Sequence, residues 1–274
     1  MKYKKEFVGE ILGTFMLVLF GCGSVAVSVL FDSHQGLMQV AIAWGIGVML
    51  AIYATRHLSC AHLNPAVSIA MVVSGRMKAG RLPAYLSAQF LGAILAGVAI
   101  YLLFNPSIVS FEAVNQIVRG GAESVKTAMM FGEFYPNPGA AAAVSMPLAM
   151  AIEGFGTFLL VLFIFSLTEG CNVGRPDDNL APVFIGLTVT SIICLIAPLT
   201  QAGLNPARDF GPRLVAWLAG WGDAALPDRA GGFFWVYILA PIVGGLVAAG
   251  AFTCVIAPLM IDKSQGCDCE NDNK

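Results

Sequence analysis

Two copies of the tripeptide Asn-Pro-Ala, at 64–66 and 205–207, are the stretches whose residue types point most clearly to a chemical role. Asn can cap a helix, Pro suits the first helical position, and Ala adds little bulk behind them. The apolar stretches that follow, 65–75 and 206–220, are shorter than the roughly 20 residues that cross a bilayer. We therefore predict two half-helices that begin inside a membrane. Two helix caps in surface loops are the alternative, which explains one copy more readily than two.

Two helix N-termini that face each other in a medium of low dielectric would favour neutral solutes that form hydrogen bonds. Each end presents free backbone N–H groups and about half a positive charge. Each Asn can also point its NH₂ group into a lumen as a donor. Two half-charges about 4 Å from a cation oppose it by roughly 4 kcal/mol at an effective dielectric of about 20. Asn64 and Asn205 therefore predict a central constriction that excludes protons and cations.

The backbone before each Asn must be non-helical at membrane depth, which is tolerated only where it is buried or lines a lumen. Its carbonyl oxygens would form a ladder of acceptors along the lumen. The residues predicted to supply these pore-lining carbonyls are Cys60, Ala61 and His62 in the first half and Gln201, Ala202 and Gly203 in the second. His57 and His62 lack a third clustered ligand, so we predict that they stabilise the loop. The sequence predicts no metal site and no cofactor.

Glu10 and Glu153 are ionisable groups within apolar stretches, where a charge is costly unless it is paired. We predict that each carboxylate accepts hydrogen bonds from backbone N–H groups of one re-entrant loop and supports that loop. The alternative is a carboxylate that faces a water-filled vestibule.

Arg208 follows the second Asn-Pro-Ala directly, where the first half has Val67. An Arg at the centre of a membrane costs about 2.5 to 3.5 kcal/mol. We predict that Arg208 is a lumen donor that orients hydroxyl groups and repels cations. The alternative is an interfacial Arg whose side chain extends to water. Asp209 and Arg213 are four positions apart, which is compatible with an ion pair along one helix.

The composition is that of a membrane protein. Of 274 residues, 57% are hydrophobic and 12% charged, and the mean hydropathy is +0.77. A soluble domain has about 25% charged residues, so lipid is the predicted solvent. The net charge of −2 gives no reason to expect nucleic acid as a partner. The stretches long and apolar enough to cross are about 7–31, 37–55, 82–104, 146–167, 180–198 and 233–260.

The two halves of the chain repeat one another. The pattern Glu-x-x-Gly-Thr-Phe begins at Glu10 and again at Glu153, and the two Asn-Pro-Ala copies are 205 − 64 = 141 positions apart. Gly45 and Gly186 also differ by 141 positions. With three crossings per half, the second copy must be inverted, so the two Asn ends meet near the midplane. We predict an all-α membrane protein with six transmembrane helices and two re-entrant half-helices in an inverted repeat.

We predict a single channel domain over residues 1–260, with repeats at about 5–104 and 146–260 and an outer loop at 105–145. Ten of the 15 Lys and Arg residues fall on the side that holds both termini, which predicts cytoplasmic termini in the cell inner membrane. Residues 261–274 are predicted to be a disordered tail, and a metal site at Cys267 and Cys269 is the alternative.

These features resemble the major intrinsic proteins, which comprise the aquaporins and aquaglyceroporins. The resemblance rests on the paired Asn-Pro-Ala boxes, the Glu-x-x-Gly-Thr repeats and the duplicated halves, and it covers about residues 5–260. Asp209 after Arg208 and the outer stretch Tyr135-Pro136-Asn137-Pro138 resemble the bacterial glycerol facilitators. The resemblance implies a right-handed helix bundle that assembles as a homotetramer with one pore per subunit.

The family has a four-residue ring at its outer constriction, and the resemblance places this selectivity filter on Trp44, Ile193, Ala202 and Arg208. Water-selective members have His at the position of Ile193. Glycerol facilitators share Trp44 but have Phe where Ala202 stands and Gly where Ile193 stands. The combination in this chain resembles the plant nodulin-26-like members, which pass glycerol and other small neutral solutes.

The predicted function is a passive channel for glycerol, related small neutral solutes and water that excludes ions and protons. No nucleophile and base stand out, so an enzyme is not predicted. A secondary transporter coupled to H⁺ or Na⁺ is the alternative, since broken helices at the midplane occur there too. Only Glu10 and Glu153 are predicted as buried charges in the crossing helices, which argues against coupling. Within the family, a mainly water channel or a urea and polyol channel is the alternative.

Overall fold

The computed structural model describes residues 3–33, 36–228 and 231–260. Within these ranges the chain consists of helices and connecting loops. The principal helices are α1 (Lys4–Phe31), α2 (Leu37–Thr55), α3 (Pro65–Val73), α4 (Leu82–Val114), α5 (Val125–Ala128), α6 (Met146–Thr168), α7 (Ala181–Thr200), α8 (Pro206–Ala216) and α9 (Gly232–Met260). The tail predicted to be disordered, with Cys267 and Cys269, lies outside the described residues.

Six helices are long and apolar enough to cross a membrane in the ranges described, namely α1, α2, α4, α6, α7 and α9. Their most apolar windows have mean hydropathies between 1.9 and 2.2, and only 28–50% of each window is buried. The outward-facing side chains are apolar, as at Leu102, Phe155 and Val247. Helices satisfy their own backbone groups, so this surface is suited to lipid. The prediction of six crossings is confirmed.

α4 continues past the predicted end of the third crossing at 104. Pro106 lies inside it without ending the helix, although a Pro removes one backbone hydrogen bond. The last turn is anchored by side chains, because Glu112 accepts from Arg119 Nε at 3.0 Å and from Thr127 Oγ1 at 2.8 Å. The outer connection therefore begins after Val114, and the predicted start at 105 was too early.

α3 and α8 are the two half-helices that follow the Asn-Pro-Ala copies. Each begins at the Pro, with Asn64 or Asn205 as an extended capping residue. Asn64 Oδ1 accepts from Ala66 N at 2.8 Å, and Asn205 Oδ1 accepts from Ala207 N at 3.1 Å. These bonds satisfy N–H groups that the start of a helix leaves free. With 9 and 11 residues, both helices are too short to cross a bilayer.

The crossing helices approach one another at small residues. A Cβ on Gly45 of α2 would lie 2.6 Å from Gly186 O, and a Cβ on Gly186 of α7 would lie 2.5 Å from Gly45 O. No larger residue fits at this crossing, where the two halves of the repeat meet. Gly92 of α4 faces α1, and Gly244 of α9 faces α6, in similarly close contacts. Such positions let helix backbones pack closely in a membrane.

Candidate functional site

The two Asn-capped helix tips meet and are joined by reciprocal hydrogen bonds. Asn64 Nδ2 donates to Leu204 O at 3.0 Å, and Asn205 Nδ2 donates to Leu63 O at 2.8 Å. Each Asn oxygen also accepts from its own half-helix, so both ends of each amide are fixed. Both Asn side chains line a cavity. An Asn amide has two N–H donors, so each side chain can offer one to a molecule in that cavity.

The backbone before each tip has the same unusual conformation in both halves. Ala61 and Leu63 have φ angles of 50° and 55°, and Ala202 and Leu204 have φ angles of 65° and 55°. Left-handed conformations are uncommon outside Gly and cost about 1–3 kcal/mol each. The sequence Ala-x-Leu-Asn-Pro-Ala occurs at both places. The surrounding structure must therefore hold two strained loops in place.

Glu10 of α1 holds the first loop. Its Oε1 accepts from His62 N at 3.0 Å and its Oε2 accepts from Leu63 N at 2.8 Å. Ser59 Oγ and Gln89 Nε2 also donate to this carboxylate, each at 2.7 Å. Glu10 is fully buried, so these donors replace the water that the carboxylate loses.

Glu153 of α6 holds the second loop in the same manner. It accepts from Gly203 N at 3.0 Å, from Leu204 N at 2.9 Å and from Thr200 Oγ1 at 2.6 Å. It is also fully buried. The hydrogen bonds to the loop backbone that were predicted for Glu10 and Glu153 are therefore both present, and neither carboxylate faces a vestibule.

His62 takes part in the packing of the first loop. Its Nδ1 lies 3.2 Å from Ser68 Oγ, and its ring centroid lies 4.9 Å from that of Tyr85. Among the residues that the structure describes, no group of three or more His, Cys, Asp or Glu is arranged to hold a metal ion.

A cavity of about 390 Å³ runs from the loops beside α2 and α6, past both Asn tips, to the predicted ring. Five of the residues predicted to supply pore-lining carbonyls line it: Cys60, Ala61, His62, Ala202 and Gly203. Gln201, the sixth, is not among the described residues that line the cavity. The chain turns there with a φ of 63°, and Gln201 Oε1 accepts from Phe134 N at 2.7 Å. Its side chain is used to fasten the outer loop.

The four residues predicted for the ring come together at one end of the cavity. Trp44, Ile193, Ala202 and Arg208 all line it, and each is only 4–6% exposed. Arg208 Cζ lies 4.1 Å from the centre of a Trp44 ring, a distance at which a cation is attracted to the aromatic face. The ring thus combines one guanidinium group with one indole and two smaller apolar side chains.

The family model of the major intrinsic proteins matches residues 1–252. The chain belongs to the major intrinsic protein family. It is 41% identical over 253 residues to the glycerol uptake facilitator protein of Pseudomonas aeruginosa, covering 92% of this chain and 88% of that protein. It is 38% identical over 254 residues to a propanediol uptake facilitator of Citrobacter freundii, covering 92% of each. The X-ray structure of the aquaglyceroporin from Plasmodium falciparum matches with a TM-score of 0.81 and 28% identity, over 94% of this chain and 98% of that one.

The resemblance to the major intrinsic proteins is thereby confirmed, together with the predicted fold class. Six apolar helices and membership of this family make the chain a multi-pass integral membrane protein.

Gly21 of α1 makes room for the ring of Trp44 in this major intrinsic protein. A Cβ at Gly21 would overlap atoms of that ring, whereas a Cβ at Gly23 of the same helix would meet nothing within 4 Å. Gly21→Ala should therefore push Trp44 into the cavity. An added methyl group in a packed site costs about 1–3 kcal/mol, and movement of the Trp44 ring into the open cavity relieves this strain. We expect glycerol flux to fall about fivefold because the displaced ring narrows the path. Gly23→Ala is the matched control, and equal swelling rates of proteoliposomes with the two variants would contradict this account.

Glu133, at the outer end of the site, is a buried carboxylate that was not predicted from the sequence. Glu133 and Arg208 form an ion pair, and their side chains are 4% and 5% exposed. Asp209 and Arg213 form the second pair, at 2.7 Å, as their spacing predicted. When all four groups are ionised, their charges sum to zero. The signal available in the sequence was a single acidic residue within the apolar stretch 128–135.

Burial raises the pKa of Glu133 from 4.5 to about 8, while the adjacent Arg208 acts in the opposite direction. The negative charges of Asp209 and Glu153 add to the rise. The protonation state of the carboxyl group next to Arg208 therefore changes near neutral pH.

The other end of the cavity is bordered by polar loops. Arg56, Arg76 and Asp178 line it there. Arg76 pairs with Glu169 and its Cζ lies 4.5 Å from the Phe165 ring centroid. Arg56 Nη1 donates to Asp178 O at 2.8 Å. These contacts fix a polar mouth at this end of the cavity, beside the loop 168–179.

Proposed function

We propose that this chain is a passive channel for glycerol and related small neutral solutes, that water also passes, and that ions and protons are excluded. The observation that carries the proposal is a single cavity that passes both Asn tips and ends at a ring containing Arg208. The relatives named glycerol uptake facilitator and propanediol uptake facilitator support small polyols as the solute class.

The cavity suits a polyol because one part of its lining is polar and the other part is apolar. The re-entrant loops and α8 line it with Asn64, Asn205 and Arg208, and we propose that the loop residues present their backbone carbonyls to the solute. The crossing helices contribute apolar side chains, namely Leu17, Val48, Ile52, Leu160, Ile185 and Val189. A polyol can replace its lost water contacts at the polar lining while its C–H groups contact the apolar lining. An ion would lose its hydration shell without gaining an opposite charge.

In this proposal each predicted site residue except Gln201 has a role in the channel. Asn64 and Asn205 form the central constriction, and Glu10 and Glu153 support the loops that carry them. The selectivity filter consists of Trp44, Ile193, Ala202 and Arg208. The pore-lining carbonyls are those of Cys60, Ala61, His62, Ala202 and Gly203.

We further propose that the protein resides in the cell inner membrane as a homotetramer with one pore per subunit and with both termini in the cytoplasm. The distribution of basic residues supports the orientation. Membership of the family supports the assembly. Residues 1–260 act as one channel domain.

The direct test of the solute class is a light-scattering comparison of water, glycerol, urea and propanediol fluxes through the purified protein in proteoliposomes. We expect glycerol and propanediol to pass well above the rate of protein-free vesicles, with water also passing. Water flux alone would contradict the proposal and favour a mainly water channel.

Trp44→Ala should widen the ring and weaken discrimination by solute size. The indole of Trp44 lines the cavity at the predicted filter, so its loss should admit polyols longer than glycerol. We expect the rate ratio of glycerol to a five-carbon polyol to fall about tenfold, which corresponds to roughly 1.4 kcal/mol of lost discrimination. Trp235→Ala is a matched control because Trp235 is 44% exposed on the outer surface of α9. Unchanged relative rates for Trp44→Ala would remove Trp44 from the filter.

A further inference from the structure

The outer segment 130–135 is fixed by hydrogen bonds to α8 and to Gln201, next to the filter. Glu133 N donates to Asp209 Oδ1 at 2.8 Å, and Arg213 Nη2 donates to Glu133 O at 2.5 Å. Gly132 allows this approach, because a Cβ there would lie 2.7 Å from Arg213 Cζ. The next residue, Phe134, donates its N–H to Gln201 Oε1 at 2.7 Å. The backbone of Glu133 is therefore held on both sides relative to α8.

From this fixed backbone the carboxylate of Glu133 reaches Arg208. The guanidinium of Arg208 thus has two contacts of different kinds. Its Nη2 pairs with Glu133, and its Cζ lies over the Trp44 ring at 4.1 Å. A charge-assisted pair and an aromatic face together fix the direction in which the remaining N–H groups point. The donor directed at Glu133 is no longer available to a solute.

The charge on Glu133 also sets the field at the ring. A carboxylate in direct contact with Arg208 cancels much of the positive potential that the guanidinium would exert on the lumen. The other ionisable groups that interact with Glu133 are Asp209 and Arg213 of α8, Glu153 of α6, Cys22 of α1 and Tyr237 of α9. Of these, Arg213 is already paired with Asp209. Glu133 is therefore the group whose protonation most directly unpairs Arg208.

We propose that Glu133 is a positioning residue for the filter, which holds Arg208 against Trp44 and thereby sets the ratio of glycerol flux to water flux. This proposal rests on the proposed channel function. When the carboxyl group is neutral, Arg208 loses its partner and turns toward the hydrated lumen, because a buried unpaired charge is costly. The ring then narrows, and glycerol is slowed more than water. The raised pKa of Glu133, about 8, places this change near neutral pH.

Stopped-flow measurement of glycerol and water flux in proteoliposomes at a series of external pH values tests the proposal. For the unmodified protein we expect the glycerol-to-water ratio to fall about threefold as the pH is lowered through the pKa of Glu133, since a charge-assisted hydrogen bond is lost. Glu133→Gln should show the low ratio at every pH. Glu133→Asp should keep a pH dependence, because it keeps the charge.

Glu112→Gln is the matched control, since Glu112 is a buried carboxylate that pairs with Arg119, and neither residue lines the cavity. It should behave as the unmodified protein does. A Glu133→Gln variant with the same ratio and the same pH profile as the unmodified protein would overturn the role of Glu133. If Glu133→Gln fails to insert, a flat pH profile in both the unmodified protein and Glu133→Asp would overturn it equally. Absence of glycerol flux at every pH would instead overturn the proposed function.

Discussion

Replacing Arg208 with leucine should allow small cations to pass through a pore that otherwise excludes them. The substitution removes the one positive side chain of the ring, and the buried carboxyl group of Glu133 becomes protonated because Arg208 no longer lowers its pKa. The ring therefore loses its positive charge without gaining a negative one. One unit charge about 4 Å from a cation, at an effective dielectric of about 20, changes the barrier by roughly 4 kcal/mol, which is on the order of a thousandfold in rate.

The measurement is K⁺ efflux from proteoliposomes, followed with a potential-sensitive dye beside glycerol flux on the same preparation. Arg119→Leu is the control, since Arg119 likewise lies 4.1 Å from a Trp ring and pairs with a buried Glu. It does not border the cavity among the described residues and should remain impermeable to K⁺. The double variant Arg208→Leu with Glu133→Gln should pass K⁺ as Arg208→Leu does near neutral pH, because the carboxyl group of Glu133 is already neutral once Arg208 is absent. If Arg208→Leu excluded K⁺ as well as the control does, the electrostatic role of Arg208 would be wrong.

Removing the carboxylate of Glu153 should have the largest effect on stability. Glu153→Ala leaves the N–H groups of Gly203 and Leu204 and the hydroxyl of Thr200 without their acceptor. Each buried donor without a partner costs about 1–3 kcal/mol. Part of this loss is offset because a buried charge is also removed. We expect the free energy of unfolding to fall by about 2–5 kcal/mol, with the re-entrant loop losing its shape first.

Thermal unfolding of the purified protein in detergent measures this effect. Glu153→Gln keeps one acceptor oxygen, so its unfolding temperature should lie between those of Glu153→Ala and the unmodified protein. Glu123→Ala is the control, because Glu123 lies on the outer surface with a side chain that is 71% exposed. Its ion pair with Lys126 should contribute little. Equal unfolding temperatures for Glu153→Ala and Glu123→Ala would show that the carboxylate does not support the loop.

The half-helices were predictable because the capping residues marked where each helix begins and the short apolar stretch behind them showed that it cannot span. Asn64 and Asn205 are strong helix caps followed by Pro, and the apolar stretches behind them are too short to span. The internal repeat then required the two tips to meet. The pairing of Glu10 and Glu153 with loop backbone also followed from the cost of a bare charge in lipid. Each inference followed from the chemistry of one residue type in an apolar stretch: an Asn that caps a helix, or a Glu that needs hydrogen-bond donors.

The features that were not predicted depend on contacts between distant parts of the chain. The bonds from each Asn amide to the Leu carbonyl of the opposite loop need the exact approach of two helix tips. The role of Gly21 depends on where the Trp44 ring of another helix lies. Glu133 is far from Arg208 in sequence, and loop residues have no periodicity from which their position could be inferred. The extension of α4 past Pro106 likewise relies on anchoring by Arg119.

The central claim is that neutral solutes cross the membrane between the tips capped by Asn64 and Asn205 without any accompanying ion. Glycerol influx into proteoliposomes, measured with and without imposed H⁺ and Na⁺ gradients while current is recorded across a planar bilayer of the same protein, tests it most directly. We expect an influx that is proportional to the glycerol gradient, unchanged by either ion gradient and free of current. An influx that saturates and accelerates with an ion gradient, or that carries current, would contradict it.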